Sequence, residues 1–267
     1  MIRPSFNLKG ITALITGASF GLGEAFAREL AAEGANLILV ARSRERLEIL
    51  GSELAKIHGI QTHIFETDLS FQEAPYRLFD SLQKAHLSVD LLVNNAGFGR
   101  AGYFEDANAE KDNEMLLVNV NSLVSLTHLL LPDMLVKGRG GIINVASTAA
   151  FQPLPFLSLY SATKAFVLHL TEALWAEYCQ RGIRILCLCP GNTKTEFHAR
   201  AGIRRKRIFL QADPRDVVRL GLRVFKTTDQ PTAIFGFRNW LLAQSHRFLP
   251  RRCLLRIVRR FYRSKPR

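Results

Sequence analysis

Short apolar runs alternate along the chain with longer stretches in which apolar residues recur every three or four positions. The short runs are typical of buried β-strands, and the longer periodicity is typical of helices packed on one face. The predicted strands are residues 11–16, 36–41, 61–66, 90–94, 141–146 and 183–189, and the predicted helices are 21–33, 44–58, 71–85, 109–136 and 160–181. Apolar strands separated by helices predict an α/β fold, a single doubly wound domain with a parallel sheet covered on both faces.

Candidate ligand-binding residues follow the predicted strands, because a doubly wound sheet binds its ligands beyond the carboxyl ends of its strands. The first strand leads into T-G-A-S-F-G-L-G at residues 16–23. Glycines in such a turn let the backbone approach a pyrophosphate at the N-terminus of the next helix. The spacing of these glycines is G-x-x-x-G-x-G, which differs from the dinucleotide fingerprint G-x-G-x-x-G. The candidate cofactor-binding residues in this turn are Gly17, Ser19, Phe20, Gly21, Leu22 and Gly23.

The ends of the second and third strands indicate which nucleotide is bound. Dehydrogenases that use NAD usually place an acidic residue after the second strand, on the ribose 2′-hydroxyl. Here that strand ends in A-R-S-R without an acid, and Arg42 offers a planar fork suited to a 2′-phosphate, which predicts NADP. A solvated arginine at a strand end is the alternative. After the third strand, Asp68 could accept a hydrogen bond from an adenine amino group or could cap the next helix, and Leu69 follows it.

Small and polar residues also follow the fourth and sixth strands. N-N-A-G at residues 94–97 would let a cofactor lie close to the backbone, and P-G-N-T-K-T at residues 190–195 carries hydroxyl groups that could hold a carboxamide or a phosphate. The candidates in these two turns are Asn95, Ala96, Gly97, Pro190, Gly191, Thr193 and Thr195. Asn119 lies inside a predicted helix, where asparagine is disfavoured, which suggests a structural or catalytic role.

The candidate catalytic residues are Ser147, Tyr160 and Lys164. A lysine four residues after a tyrosine lies on the same face of a helix. We expect its ammonium to stabilise the phenolate and to lower the tyrosine pKa from about 10 toward the working pH. Ser147 could hydrogen-bond a substrate oxygen that shares the tyrosine proton. Taken alone, Tyr-x-x-x-Lys is more often an ordinary pair on a helix surface.

The positive charge is concentrated at the C-terminal end of the chain. The 267 residues carry a formal net charge of +13, but no Asp or Glu follows Asp229, whereas ten Lys and Arg residues do. The four cysteines contain no C-x-x-C, and we expect reduced thiols, with Cys187 and Cys189 on opposite faces of a strand and with no metal bound. The first residues have no apolar signal-peptide core, and no membrane-spanning helix is expected. A cytoplasmic protein is therefore predicted.

Together these motifs resemble the short-chain dehydrogenase/reductase family, of the single-domain type. The pieces T-G-A-S-F-G-L-G, D-L, N-N-A-G, Asn119, Ser147, Tyr160-x-x-x-Lys164 and P-G-x-x-x-T occur in the family order, over roughly residues 8–195. The resemblance implies a Rossmann-like domain at residues 1–237, with a seven-stranded sheet in the order 3-2-1-4-5-6-7, followed by a basic helical extension at 238–267. It also implies a homodimer or homotetramer.

The resemblance further implies a role for each catalytic residue. Tyr160 would be the general acid in reduction and the base in oxidation, and Lys164 would lower its pKa and bind the nicotinamide ribose. Ser147 would orient the carbonyl, and Asn119 would hold a water that relays protons. In NADP-preferring members, the counterparts of Ser19 and Arg42 bind the 2′-phosphate.

The substrate and the tail leave alternatives open at this stage. The apolar segment at residues 151–157, with Phe98, Phe197 and Phe209, suggests a lipophilic carbonyl substrate, or simply a packed interior. A basic run at 204–207, within a predicted substrate lid at 196–210, could attract an anionic group or lie in solvent. The amphipathic stretch 251–263 could bind an anionic membrane, a partner subunit, an acidic partner or its own domain; nucleic acid is not expected.

Two functions follow from these alternatives. The first is an NADP-dependent carbonyl reductase or alcohol dehydrogenase, acting on a 3-oxoacyl compound or on a ketone that resembles a steroid or a retinoid. The second is a non-catalytic NADP-binding protein that its basic tail recruits to a membrane or a partner.

Overall fold

A computed structural model describes residues 5–195, 211–245 and 250–262. The strands are β1 Thr12–Thr16, β2 Asn36–Ala41, β3 Thr62–Glu66, β4 Leu91–Asn94, β5 Gly140–Val145, β6 Ile183–Cys189 and β7 Thr232–Ile234. All neighbouring strands are parallel, in the order β3-β2-β1-β4-β5-β6-β7, which confirms the expected sheet. The apolar pattern predicts β1–β6 to within one residue at each end. It does not locate β7, whose three residues are too few to produce a pattern.

The helices are α1 Gly21–Ala32, α2 Arg44–His58, α3 Ala74–Lys84, α4 Ala109–Leu116, α5 Ser122–Val136, α6 Ser158–Tyr178, α7 Pro214–Thr227, α8 Phe237–Gln244 and α9 Arg251–Tyr262. The sequence predicts one continuous helix at 109–136, but the structure interrupts it with a π-helical turn at Leu117–Asn121, between α4 and α5. Such turns occur frequently at functional sites, and this one contains Asn119.

Two apolar layers cover the sheet. The first layer holds side chains of α1, α2 and α7 against one face, and the second holds side chains of α3, α5 and α6 against the other. Successive strand residues alternate between the layers: Ile15 belongs to the first and Leu14 to the second. Because both faces are covered, the strands are apolar at nearly every position.

By length and composition alone, the stretch Ala109–Val136 is long and apolar enough to cross a membrane. The sequence had led us to expect no membrane-spanning helix. Half of its most apolar window is buried inside the protein. In α5, Leu126, Leu130 and Met134 pack in the second apolar layer of the sheet. A core helix has this composition too, so the stretch is weak support for a membrane span.

The basic tail contains α9, and one side of this helix packs against the domain. Leu254 and Val258 are buried in a cluster that also contains Leu157 and Tyr160. The docked alternative is thus confirmed for that side of the helix. Arg263 and the predicted lid at 196–210, with Phe197 and Phe209, lie outside the described residues.

Candidate active site

The order of the strands places the site where the connections from β1 and β4 turn to opposite sides of the sheet. The turns after β1 and β4 meet there through Thr16. Its Oγ1 accepts hydrogen bonds from the amides of Asn95 and Ala96, both at 3.0 Å. Asn95 Nδ2 donates back to the carbonyl oxygens of Thr16 at 2.9 Å and Gly17 at 3.2 Å. Asn95 therefore bridges the turn after β4 and the turn after β1.

The glycines of the first turn are required by its geometry. Gly17 and Gly21 have φ of 66° and 63°, in the left-handed region that favours glycine. A Cβ on Gly23 would lie 2.1 Å from the carbonyl oxygen of Gly17, so only glycine lets α1 begin this close to the turn. A Cβ on Gly21 would lie 3.2 Å from Thr195 Cγ2, which places the last described residue of the sixth-strand turn beside the glycine turn.

The site predicted for the 2′-phosphate is formed by the same turn and the end of β2. The amide of Ala18 donates to the carbonyl oxygen of Val40 at 3.2 Å, which ties the turn carrying Ser19 to the strand that ends next to Arg42. Arg42 is 69% exposed and lies 4.0 Å from Asp68. Asp68 Oδ1 accepts from the amide of Ser70 at 3.0 Å within a local turn, but α3 begins after Glu73, so the predicted capping of the next helix by Asp68 is wrong. The guanidinium of Arg42 faces solvent at the end of β2, where an anion could reach it.

The four predicted catalytic residues come together beyond β4 and β5. Tyr160 and Lys164 lie in the first two turns of α6, with the Lys164 Nζ 6.0 Å from the centre of the Tyr160 ring. Ser147 follows β5 and hydrogen-bonds the Tyr160 hydroxyl through its side chain. A Cβ built on Gly97 would lie 3.1 Å from Asn119 Oδ1 and 3.3 Å from Lys164 Nζ, so the turn after β4 passes directly over both groups.

Asn119 is held by three hydrogen bonds. Its Oδ1 accepts from the amide of Phe98 at 3.0 Å, and its Nδ2 donates to the carbonyl oxygen of Phe98 at 2.9 Å and to Thr163 Oγ1 at 3.0 Å. Thr163 in turn donates to the carbonyl oxygen of Tyr160 at 2.8 Å. Thr163 therefore links the π-helical turn to α6. Sequence reasoning missed it, although its place in Y-S-A-T-K between two candidates was a usable signal.

Burial dominates the electrostatics of the pair. It raises the pKa of Tyr160 to about 12, and the hydrogen bond with Ser147 opposes the shift. Burial also lowers the pKa of Lys164 to about 8, and its Nζ donates to the carbonyl oxygen of Val145 at 2.8 Å. The expected net lowering of the Tyr160 pKa is thus wrong for this arrangement, because burial raises that pKa. The lysine stays partly protonated near neutral pH, and the phenol is a proton donor.

Two buried thiols lie behind this pair. Cys187 and Cys189 of β6 have their Sγ atoms 3.7 Å apart. The prediction of opposite faces is wrong, because residues two apart in a strand share a face. All four cysteines are free. Within the described ranges, no three His, Cys, Asp or Glu side chains are grouped so as to hold a metal ion.

The turn after β6 closes the other side of the site. Thr148 donates its amide to the carbonyl oxygen of Pro190 at 2.9 Å, which joins this turn to the one carrying Ser147. Thr193 is buried, and its Oγ1 donates to the carbonyl oxygen of Gly191 at 3.2 Å. A Cβ on Gly191 would lie 2.1 Å from Asn239 Nδ2, so α8 packs against the turn. The hydroxyl of Thr193 is thus used within its own turn.

An apolar wall stands next to the catalytic tyrosine. Tyr160 belongs to a cluster with Met115, Leu154, Leu157, Leu254 and Val258, against which Phe98, Ala101, Leu159 and Tyr262 pack. Tyr262 lies close enough to Tyr160 for its own ionised form to disfavour the phenolate. The C-terminal helix α9 therefore forms part of the wall of the site, a contact that no local pattern in the sequence could predict.

The arrangement fits a dinucleotide. A Cβ added at Gly17, Gly21 or Gly97 would lie 3.0–3.2 Å from neighbouring protein atoms, so these positions suit glycine and present backbone to a flat, charged ligand along the ends of β1 and β4. Leu69 is buried and supports the turn after β3. Phe20 and Leu22 are half-buried at the start of α1. The predicted cofactor residues lie in the turns at the carboxyl ends of β1, β2, β3, β4 and β6, at the start of α1, or on α6.

Comparison with known proteins agrees with this geometry. A family model described as short chain dehydrogenase matches residues 11–206. A very-long-chain 3-oxoacyl-CoA reductase of Anas platyrhynchos is 37% identical over 186 residues, which cover 68% of this chain and 59% of that protein. A protein of Homo sapiens named inactive hydroxysteroid dehydrogenase-like protein 1 is 30% identical over 208 residues, which cover 77% of this chain and 63% of that one.

Solved structures give the same assignment. A short-chain dehydrogenase from Sphingobium yanoikuyae in complex with NADPH is 30% identical, with a TM-score of 0.79, and the match covers 89% of this chain and 93% of that one. The chain spans 59% and 63% of the lengths of the two curated relatives described above. With its fold, its glycine turn and its Ser147, Tyr160 and Lys164 cluster, the chain belongs to the short-chain dehydrogenase/reductase family of oxidoreductases.

Proposed function

We propose that the protein is an NADP(H)-dependent carbonyl reductase or alcohol dehydrogenase acting on a lipophilic substrate. The observation that carries the proposal is the group formed by half-buried Ser147 with buried Tyr160 and Lys164, and with Asn119 beside Lys164. When bound, the nicotinamide supplies or accepts the hydride at the carbonyl carbon. The residues of the chain handle the proton at the oxygen.

In reduction, the Tyr160 hydroxyl donates its proton to the substrate oxygen as the carbon receives the hydride, and an alcohol results. A pKa of about 12 keeps this hydroxyl protonated at neutral pH. Ser147 hydrogen-bonds the same hydroxyl and is placed to hold the substrate oxygen against it. The ammonium of Lys164 offsets the charge that develops on the phenol oxygen as the proton leaves. Asn119 holds the turn that passes over Lys164, through its bonds to Phe98.

NADP is preferred over NAD in this proposal, because of the charge at the end of β2. Arg42 is exposed there, and the turn that bears Ser19 is bonded to the same strand. An arginine fork can bind a 2′-phosphate through two parallel hydrogen bonds. The similar structure from Sphingobium yanoikuyae was solved with NADPH. Asp68 opposes the preference, since it lies 4.0 Å from Arg42.

The substrate is a lipophilic ketone, aldehyde or 3-oxoacyl compound. The side chains beside Tyr160 are apolar, and they come from α4, from the segment before α6 and from α9. A wall of this kind favours hydrocarbon over a sugar or a small acid. The similarity to a very-long-chain 3-oxoacyl-CoA reductase supports an acyl chain, and other curated relatives are named as hydroxysteroid dehydrogenases.

We also propose a homodimer or homotetramer in the cytoplasm. Leu116, Val124 and Phe166 are exposed on α4, α5 and α6, which supports contact through these helices. The four free thiols support a reducing compartment.

The test is NADPH oxidation by the purified protein with 3-oxoacyl compounds and ketones of increasing size. Tyr160→Phe is the catalytic variant, and Tyr103→Phe, at a tyrosine that is 52% exposed, is the matched control. We expect turnover that rises with apolar size, and a loss of about 10²–10⁴-fold in Tyr160→Phe but not in Tyr103→Phe.

The competing proposal is a non-catalytic NADP-binding protein, and the name of the similar human protein includes the word inactive. It predicts tight NADPH binding, measured by protein fluorescence, without turnover of any compound in the series. Equal turnover by Tyr160→Phe and the unchanged protein would contradict the assigned chemistry.

A further inference from the structure

We propose that α8 and α9 form a surface that binds anionic lipid. The argument begins with α9, whose residues fall into three rows. Leu254 and Val258 are buried against the active-site wall. A second apolar row, spaced four residues apart, contains Cys253, Ile257 and Phe261, and all three are exposed. Ile257 is 45% and Phe261 is 69% exposed, so docking on the domain leaves this row uncovered.

The rest of the surface of α9 is basic. Arg252, Arg256, Arg259 and Arg260 are exposed. No acidic residue occurs after Asp229, and within the described residues none of these arginines forms an ion pair. An exposed apolar row beside a row of arginines is typical of a helix that lies in the plane of a membrane surface.

The preceding helix continues the same composition. Phe237, Trp240, Leu241 and Leu242 of α8 are between 47% and 71% exposed, and the rings of Phe237 and Trp240 stack with centroids 6.0 Å apart. Arg238 is exposed among them. Exposed aromatic residues with arginines suit the interface between headgroups and hydrocarbon. Both helices belong to the same end of the fold, since α8 contacts the 3₁₀ turn Thr148–Phe151 and α9 packs in the cluster that contains Ala149.

Charge decides between a lipid surface and a second copy of this chain. Two copies meeting through α9 would bring their unpaired arginines into contact, where the like charges repel each other. An anionic surface instead gains from each arginine, while Phe261 and Ile257 enter the headgroup region. Because the inner row of α9 lines the site of Tyr160, the same helix would hold the active-site wall at the lipid surface.

The experiment is flotation of the full-length protein with vesicles of phosphatidylcholine alone and of phosphatidylcholine with phosphatidylglycerol. One variant, Arg256→Gln with Arg260→Gln, removes charge, and its control is Arg46→Gln with Arg77→Gln, two exposed arginines elsewhere. We expect binding to anionic vesicles, falling about fivefold for each tail arginine removed and so about 25-fold for the pair.

A second pair of variants tests the apolar row. Ile257→Ser with Phe261→Ser should weaken binding at least tenfold, because two large apolar side chains are lost from the headgroup region. Ile49→Ser with Ile57→Ser, at positions on α2 that are 63% and 62% exposed, should leave binding unchanged. The buried residues Leu254 and Val258 are intact in all variants, and thermal melts verify that each is folded.

Three results would overturn the proposal. One is the absence of binding to vesicles of either composition. Another is equal binding by the tail variants and their controls. The third is a variant Ile257→Ser with Phe261→Ser that loses its dimer or tetramer in light scattering, while the unchanged protein binds no vesicles. The apolar row of Ile257 and Phe261 would then be the contact with a second copy of the chain. The assay needs no turnover, so it is independent of the proposed reaction.

Discussion

Replacing Asn119 by Leu should lower the free energy of unfolding and also slow the reaction, and the two effects can be measured separately. Leucine has the same branched shape as asparagine and larger end groups, so the change removes hydrogen bonds without creating a cavity. Asn119 is 1% exposed, and its side chain satisfies both the amide and the carbonyl of Phe98, besides donating to Thr163. Because the leucine side chain fills this position with hydrocarbon, no water can enter to replace the lost hydrogen bonds.

The magnitude follows from the groups left without partners. A buried polar group that loses its partner costs about 1–3 kcal/mol. Two backbone groups of Phe98 lose theirs, and this residue is only partly buried, so the lower half of the range applies to each. Thr163 keeps the bond that it donates to Tyr160 and adds little. We therefore expect a loss of about 3 kcal/mol in the free energy of unfolding.

Urea unfolding measures the free energy of unfolding, and NADPH oxidation measures the rate of the reaction. The rate should fall about 100-fold, which is the low end of the range for loss of general acid–base catalysis. Asn113→Leu, at an exposed position of α4, is the control and should change neither. Combining Asn119→Leu with Thr163→Val should show a coupling of about 1 kcal/mol, as for contacting residues. Unfolding of Asn119→Leu at the same urea concentration as the control would refute the argument that these bonds hold the turn.

Three further predictions concern the cofactor turns and the catalytic pair. The reductive kcat/KM should fall as pH rises through about 8, because Lys164 then loses the charge that offsets the developing phenolate, whereas Tyr160 at about 12 adds no limb below about pH 11; a profile that stays flat through pH 8 would contradict the assignment. Arg42→Gln should raise KM for NADPH about tenfold and leave KM for NADH unchanged, since only one of them carries the 2′-phosphate; equal changes would exclude the contact. Gly23→Ala should cost about 1–3 kcal/mol in urea unfolding, because its Cβ would lie 2.1 Å from the Gly17 carbonyl oxygen, and unchanged stability would show that the turn can move.

Much of the fold could be predicted because the two layers on the sheet make its strands continuously apolar. β2 and β6 agree with the sequence to the residue. The π-helical turn could not be predicted, because the extra residue in it is favoured by contacts of Asn119 with Phe98 and Thr163. These contacts lie 21 and 44 residues away along the chain. Local propensity carries no information about such partners.

The identity of the site residues was easier to predict than their electrostatics. Sequence spacing brings Tyr160 and Lys164 to one face of α6, and the structure agrees. The direction of the tyrosine pKa was predicted wrongly, because the spacing gives the distance to a charge but not the degree of burial. Here Tyr160 is buried, and burial disfavours the phenolate more than the hydrogen bond with Ser147 favours it.

The tail shows how one amphipathic pattern can hide two surfaces. From the sequence, Leu254, Val258 and Phe261 form a single apolar side of a helix, whose partner could be a membrane or the domain. In the structure, Leu254 and Val258 face Tyr160, while Phe261 is exposed and leaves its row next to the arginines. The two alternatives are therefore compatible, because each uses a different row. A helix of this design can close an apolar site and hold it at a lipid surface, and its inner and outer rows can be mutated separately.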